Sequence, residues 1–296
     1  MRNSVTLSTL MLSASLSWAT PVFVKRDSWG PAVSLGPSKA EIITTSTVIY
    51  PGKMPANQAG LLYAWLGISN GTGDLIQSII GSYPAGQSEC SGANADKTWC
   101  ISSEVYGLDA STGYPNQWVG ELRTADVNYE NGIILNYTLI DKSSYLWLQT
   151  MTDAVTGDLL STFNKTSGPM LGWGTALECN DGCTGTIETQ YYVNSTIVLE
   201  TADSTFIQTL GSSQGATHTE METADNGKTW TIAKITIPPM QSAAAEAVLS
   251  PSSSTVAVPV ATPSKVVATS SGTASPTKHH GHQGHGVRGG SVSRLV

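Results

Sequence analysis

Histidine is scarce in this chain, and its placement excludes several kinds of active site. The 296 residues contain five histidines, and four of them lie in the C-terminal stretch 279–285. The rest of the chain has only His218, so no site with two histidine ligands to a metal can be built there, and a serine–histidine or cysteine–histidine site would have to use this one residue. Because His218 follows the Ser/Gly/Thr-rich residues 211–217, we interpret it as a surface residue in a loop.

Cysteine is also rare, and the full set is Cys90, Cys100, Cys179 and Cys183. Neither local pair has the C-x-x-C spacing of a zinc knuckle, which argues against a metal site. An even number of cysteines favours disulfide bonds formed in an oxidising compartment. Four cysteines allow three pairings, and we prefer the two local ones, Cys90 with Cys100 and Cys179 with Cys183.

Basic residues are few in the central part of the chain. Residues 27–240 contain 21 acidic and 8 basic side chains, a net charge of −13. A surface of this sign repels nucleic-acid phosphates, and no basic amphipathic stretch is present to hold a membrane surface. We therefore expect no nucleic-acid partner and no membrane anchor; we also expect a monomer that needs no cofactor and no metal.

The only long apolar stretch lies at the N-terminus, where residues 1–19 have the pattern of a secretory signal peptide. Residues 20–26 read as a short pro-segment that ends in the dibasic pair Lys25-Arg26. Asn70, Asn136, Asn164 and Asn194 each begin a glycosylation sequon with threonine in the third position. These features predict a secreted, extracellular glycoprotein, with association to a cell wall as one possibility.

The C-terminal residues 241–296 have a composition unlike the rest of the chain. They are rich in serine, threonine, alanine, valine and proline, which predicts a disordered tail. The histidine tract at its end is typical of a solvated tail, with weak metal binding as the alternative. No apolar segment follows that tract, which argues against a GPI anchor.

Helical periodicity is missing between residues 27 and 240, whereas short runs rich in Val, Ile, Thr, Tyr and Trp recur between turn-forming residues. This pattern predicts an all-β domain, a two-sheet antiparallel β-sandwich of the jelly-roll or concanavalin-like kind. The predicted strands are residues 42–50, 61–68, 75–83, 99–106, 133–140, 145–152, 159–163, 186–193, 197–201 and 230–237. Hairpin turns are predicted at 153–158 and 225–228.

Once histidine and cysteine chemistry are excluded, carboxylates and amides are left. Glu220 and Glu222 have the spacing of two acids on one strand face, yet we interpret them as solvated, since no Glu-x-Asp-x-x-Glu motif occurs in the chain. Gln77 shares a strand face with aliphatic residues. Its carboxamide is either buried and bonded to backbone or directed into a cleft.

Several short motifs around Gln77 resemble the eqolisins, fungal secreted glutamic peptidases that are two-sheet β-sandwiches made as precursors. Their Trp-Gly-Gly-Ala, Trp-Val-Gly-Ile, Leu-Gln-Thr-Gly and Tyr-Glu-Trp-Tyr-Pro segments are similar, in order, to residues 29–32, 65–68, 75–81 and 103–107. The family's Ala-Glu-Trp-Ile is similar to residues 176–179 with a one-residue shift and without the tryptophan.

The resemblance implies a catalytic pair of Gln77 and Glu178, with Glu188 as the substitute for the glutamate. In such a pair the glutamate acts as general base toward a water and the amide stabilises the oxyanion, which favours acid pH. The same registration places Trp65, Glu104 and Tyr106 along the cleft. The implied activity is acid endopeptidase action on a polypeptide.

Two readings without catalysis remain open. Aromatic residues with polar atoms suit a glycan-binding surface, on which Trp118, in the loop-like residues 114–118, would be a stacking platform. The alternative interpretation of Trp118 is that its ring folds onto the edge of the sandwich. The other reading is a structural cell-wall protein with the tail as a stalk.

Overall fold

The computed structural model describes residues 28–56, 58–71, 73–91, 97–184 and 187–240. The predicted signal peptide, pro-segment and C-terminal tail lie outside these residues. Within them the regular structure consists of fifteen strands and two short 3-10 turns, at Tyr129–Asn131 and Phe206–Thr209. No helix in the described part of the chain is long and apolar enough to cross a membrane.

The strands form two antiparallel sheets, which confirms the predicted all-β sandwich. The strands are β1 Ser28–Leu35, β2 Ile42–Tyr50, β3 Leu61–Ser69, β4 Leu75–Ser82, β5 Cys100–Asp109, β6 Tyr114–Val119, β7 Ile133–Asp141, β8 Leu146–Asp153, β9 Leu159–Thr166, β10 Gly172–Asn180, β11 Gln190–Leu199, β12 Gly211–Ser213, β13 Thr217–His218, β14 Met221–Glu222 and β15 Thr229–Ile237. One sheet has the order β12-β1-β10-β3-β4-β5-β6, and we call it the seven-stranded sheet. The other has the order β13-β15-β11-β2-β7-β8-β9, with β14 beside β15, and we call it the eight-stranded sheet.

The inner faces of both sheets form one hydrophobic core. Its largest fully buried side chains include Trp99, Trp147, Trp173, Tyr137 and Tyr192. Alternation along the strands explains this arrangement, since in β8 every second residue is buried.

Buried polar atoms of the core bond from one sheet to the other. The Tyr137 hydroxyl donates to the Leu66 carbonyl at 2.7 Å, and the Trp173 indole N–H donates to the Thr45 hydroxyl at 3.0 Å. Each such bond contributes on the order of 1 kcal/mol and fixes the position of one sheet on the other.

Both predicted disulfide bonds are present. Cys90–Cys100 ties a loop to the start of β5, and Cys179–Cys183 closes the turn after β10. The two predicted hairpin turns also lie between strands, β8–β9 and β14–β15.

The strand prediction was wrong or incomplete in two respects. The predicted strands 186–193 and 197–201 were given as separate, whereas their residues 190–193 and 197–199 belong to one strand, β11. Within β11 the pairing shifts between Val193 and Thr196, and Asn194 has a φ of 54°. The short strands β12, β13 and β14 were not predicted, and neither were β1, β6 and β10. The sequences of β1, β6 and β10 contain glycine, proline or asparagine among the apolar residues, and these residues weaken a strand pattern.

Candidate functional site

The outer face of the seven-stranded sheet carries most of the residues that the sequence singled out. Directly paired residues of antiparallel strands point to the same face. Gln77 in β4 pairs with Glu104 in β5, and Leu75 pairs with Tyr106. Trp65 in β3 pairs with Ile79, two residues from Gln77 along the same face. The structure therefore brings Gln77, Glu104, Tyr106 and Trp65 together.

Glu104 is a buried carboxyl group, with 6% of its surface exposed. The side-chain amide of Gln117 in β6 donates a hydrogen bond to its Oε2. Burial raises the pKa of Glu104 to about 7, while the Ser102 hydroxyl and the Gln117 amide act in the opposite direction. Glu104 takes part in none of the ion pairs among the described residues.

Gln77 lies directly beside this carboxyl group. Its side chain is 9% exposed, and its carboxamide forms no side-chain hydrogen bond within the described part of the chain. This differs from the first alternative for Gln77, a buried amide bonded to backbone. An amide carries two donors and an acceptor, so Gln77 has unused capacity next to Glu104.

Several aromatic side chains share this face with the two groups. Trp65 is 4% exposed and meets Trp29 edge to face at 5.9 Å. Further along the face, Tyr63 and Tyr83 also pack edge to face, with ring centroids 5.7 Å apart. Desolvation by burial is the largest cause of the raised pKa of Glu104.

The structure does not place Glu178 beside Gln77. Glu178 in β10 pairs with Tyr63, whereas the β10 residue in the row of Gln77 is Gly174, opposite Gly67. Glu178 is thus two strands across and four residues along from Gln77, roughly 16 Å between Cα atoms at ordinary strand spacing. This separation is too large for both side chains to hold one water.

The substitute, Glu188, lies away from this face. It is exposed before β11, and its carboxylate accepts a hydrogen bond from the Lys53 backbone N–H at 3.3 Å. The resemblance named Glu178 and Glu188 for the catalytic glutamate and Glu104 as a cleft residue. Of these three, Glu104 is the one that lies next to Gln77.

The structure places Trp118 in a strand and not in a loop, so the prediction that it forms an exposed stacking platform was wrong in its location. It belongs to β6 and pairs with the core residue Val105, so it points toward the interior and packs partly buried against the core. The ammonium of Lys165 lies 4.1 Å from its ring centroid. This geometry matches the alternative of a ring folded onto the sandwich edge.

Two residues of this site, Gln117 and Ser102, were missed in the sequence. Gln117 pairs with Tyr106 across the β5–β6 hairpin, whose turn contains Ser111, Thr112 and Gly113. Reading that turn as a hairpin would have predicted β6 and placed Gln117 near Glu104.

The remaining candidates lie elsewhere. His218 is exposed, as predicted, although in a two-residue strand rather than a loop. A surface groove of about 370 Å³ lies on the eight-stranded sheet and is lined by Asn194, Ser195, Thr196, Thr219, Glu220, Glu222, Thr231, Ile232 and Ala233. Glu220 and Glu222 are exposed there. The described residues contain no cluster of three histidine, cysteine or acidic side chains suited to a metal ion.

Comparison with known proteins gives structural neighbours only. No family model and no curated protein sequence matches the chain. Scytalido-glutamic peptidase, solved with a transition-state analog inhibitor, is 14% identical, with a TM-score of 0.39; the match covers 69% of this chain and 97% of that one. SCP-B, a member of the eqolisin family of peptidases solved with the tripeptide Ala-Ile-His, is 13% identical, with a TM-score of 0.36; the match covers 69% of this chain and 96% of that one.

Proposed function

We propose that the chain is a secreted hydrolase of polypeptides, and that Gln77 and Glu104 on the outer face of the seven-stranded sheet cleave the peptide bond. The observation that carries the proposal is the direct pairing of Gln77, whose carboxamide makes no hydrogen bond among the described residues, with a buried carboxyl group that has no ion-pair partner there. Water is the only co-reactant, so this site needs no cofactor.

The chemistry follows from the two functional groups. Ionised Glu104 takes a proton from a water molecule, and the water oxygen bonds to the peptide carbonyl carbon. The N–H groups of Gln77 donate to the developing oxyanion. The carbon–nitrogen bond then breaks as Glu104 returns the proton to the leaving amine, which yields a carboxylic acid and an amine. Gln117 positions Glu104 through its hydrogen bond.

The raised pKa sets the pH range of this reaction. Glu104 acts as a base only when ionised, and its pKa is raised to about 7 by burial. The rate should therefore rise between pH 5 and 8. A pair that used Glu178 would instead work at acid pH, as the resemblance implied.

Secretion is the second part of the proposal. It is supported by the signal-peptide pattern of residues 1–19 and by two disulfide bonds, which form in oxidising compartments.

The test is cleavage of a denatured protein by the purified chain, compared with matched variants. Glu104→Gln keeps the size of the side chain and an acceptor for Gln117, and Gln77→Met keeps the size of the other side chain without its N–H donors. We expect the first to abolish cleavage and the second to lower kcat roughly 100-fold or more, the usual effect of removing an oxyanion donor.

Glu178→Gln and Glu220→Gln serve as controls that remove a carboxylate without touching the proposed pair. Both should cleave like the wild type. Cleavage that survives Glu104→Gln would overturn the assignment, and cleavage lost only in Glu178→Gln would return it to Glu178. A folded wild-type protein that cleaves nothing between pH 3 and 8 would refute the hydrolase function.

A second candidate function is glycan binding on the same face. Trp29 and Tyr63 are partly exposed beside Trp65, and aromatic rings with polar atoms stack well on sugars. Binding of oligosaccharides that is lost in Trp29→Ala, and unchanged in Glu104→Gln, would favour this candidate.

A further inference from the structure

Two of the four glycosylation sequons lie on the outer face of the eight-stranded sheet. Asn136 in β7 pairs with Ser46 on one side and Thr150 on the other, while its neighbours Leu135 and Tyr137 are fully buried. Asn136 therefore points outward.

Asn164 in β9 points to the same face. It pairs with Leu148, which in turn pairs with Thr138. Thr138 is two residues from Asn136, so all of these side chains share the outer face. Asn164 is exposed.

The third sequon lies at the irregularity in β11. Asn194 has a φ of 54°, a left-handed conformation that asparagine tolerates better than most residues. Its neighbour Ser195 is buried and hydrogen-bonded to Thr47 at 2.7 Å, whereas Asn194 is exposed and lines the surface groove. The irregularity thus presents Asn194 to solvent.

The three asparagines are spaced evenly across the sheet. They occupy β11, β7 and β9 in the order β11-β2-β7-β8-β9, so one strand separates each from the next. Alternate strands are about 10 Å apart. Three glycans at this spacing would stand side by side over the face.

The same face carries partly exposed apolar side chains. Tyr50, Ile140 and Tyr191 are 37%, 49% and 37% exposed, and of these the Tyr191 ring has the Lys234 ammonium 4.1 Å from its centroid. Between them runs a cross-strand row of half-buried aliphatic residues, Val193, Val48 and Ile134. Apolar surface of this kind on a sheet is an aggregation risk unless something covers it.

We infer that N-linked glycans on Asn136, Asn164 and Asn194 form a coat over the outer face of the eight-stranded sheet and keep its apolar side chains from self-association. Glycans are bulky and solubilising, which suits this role. The fourth sequon, at Asn70, lies at the β3–β4 turn and outside the coat. None of the four sequons lies within a strand of the seven-stranded sheet, so the coat leaves that sheet's outer face open.

The test uses the full chain, expressed with its own N-terminus in a eukaryotic secretory host. Peptide mapping after enzymatic deglycosylation should show all three asparagines occupied. A triple variant Thr138→Ala, Thr166→Ala and Thr196→Ala removes the three sequons without changing any asparagine. The matched triple variant with serine at the same positions keeps them, since serine also completes a sequon.

We expect the alanine variant to lose three glycans, to bind a hydrophobic dye several-fold more strongly and to self-associate in light scattering, while the serine variant behaves like the wild type. Wild-type protein deglycosylated after folding should behave like the alanine variant, and it decides the question if that variant fails to fold. The inference is overturned if the folded protein carries no glycan at these sites, or if the deglycosylated protein shows unchanged dye binding and size.

Discussion

The buried carboxyl of Glu104 should make the stability of this protein depend on pH in a range where few other groups titrate. Its pKa is raised from 4.5 to about 7 in the folded chain. The proton is therefore bound more tightly in the folded state than in the unfolded state. Stability from this group is fully present below pH 4.5 and is lost as pH rises through 7.

The size of the effect follows from the shift. Between pH 5 and pH 8 the linkage relation gives a loss of about 2 to 3 kcal/mol in the free energy of unfolding. The aspartates with altered pKa, such as Asp141 and Asp153, have lowered values, so their contributions are lost only at more acid pH. The range from pH 5 to 8 therefore reports mainly on Glu104.

Urea unfolding of the wild type and of Glu104→Gln, with the disulfides intact, measures this effect. The wild type should lose about 2 to 3 kcal/mol between pH 5 and 8, a shift of roughly 1 M in the urea midpoint. The variant cannot ionise at this position and should show little change. An equal loss of stability in both proteins over this range would show that Glu104 is not the group that titrates.

Three further predictions concern the framework. Tyr137→Phe removes the hydrogen bond from the buried hydroxyl to the Leu66 carbonyl and should lower the free energy of unfolding by about 1 kcal/mol, measured by urea unfolding at pH 6. An unchanged midpoint would contradict this prediction. Trp118→Ala should lower the free energy of unfolding by about 3 kcal/mol, because the ring packs against the core. A variant that loses glycan binding but keeps its stability would instead support a stacking platform on the surface. Replacing both Cys90 and Cys100 with alanine opens a loop of about ten residues and should lower the free energy of unfolding by about 3 kcal/mol, measured by thermal or urea unfolding. Unchanged stability in this variant would argue against the disulfide bond.

The sandwich could be predicted because short runs rich in Val, Ile, Thr, Tyr and Trp recur between turn-forming residues. β2 is such a run, and recognising it needs no knowledge of the partner strand. β10 lacks such a pattern, since Gly172 and Gly174 sit among its large residues. Its position depends on packing between β1 and β3, which the local sequence does not encode.

The candidate site could be predicted only in part, for a related reason. Matching short motifs placed Gln77, Trp65 and Tyr106 on one face, and the structure brings them together there. Which glutamate lies beside Gln77 depends on how strands that are separate in sequence align with one another. A match of short motifs does not determine this alignment. Glu178 resembled the family's glutamate by order, whereas hydrogen-bond pairing places Glu104 next to Gln77.

The most direct test of the proposed reaction is the pH profile of peptide cleavage by the wild-type protein, measured as kcat/KM between pH 3 and 8 on one unstructured peptide. Catalysis by Gln77 and Glu104 predicts a rate that rises with pH and levels off above an apparent pKa of about 7, as Glu104 ionises. A maximum near pH 3 that falls to nothing by pH 6 would contradict this account, because Glu104 is then protonated at the optimum and another carboxylate must act as the base.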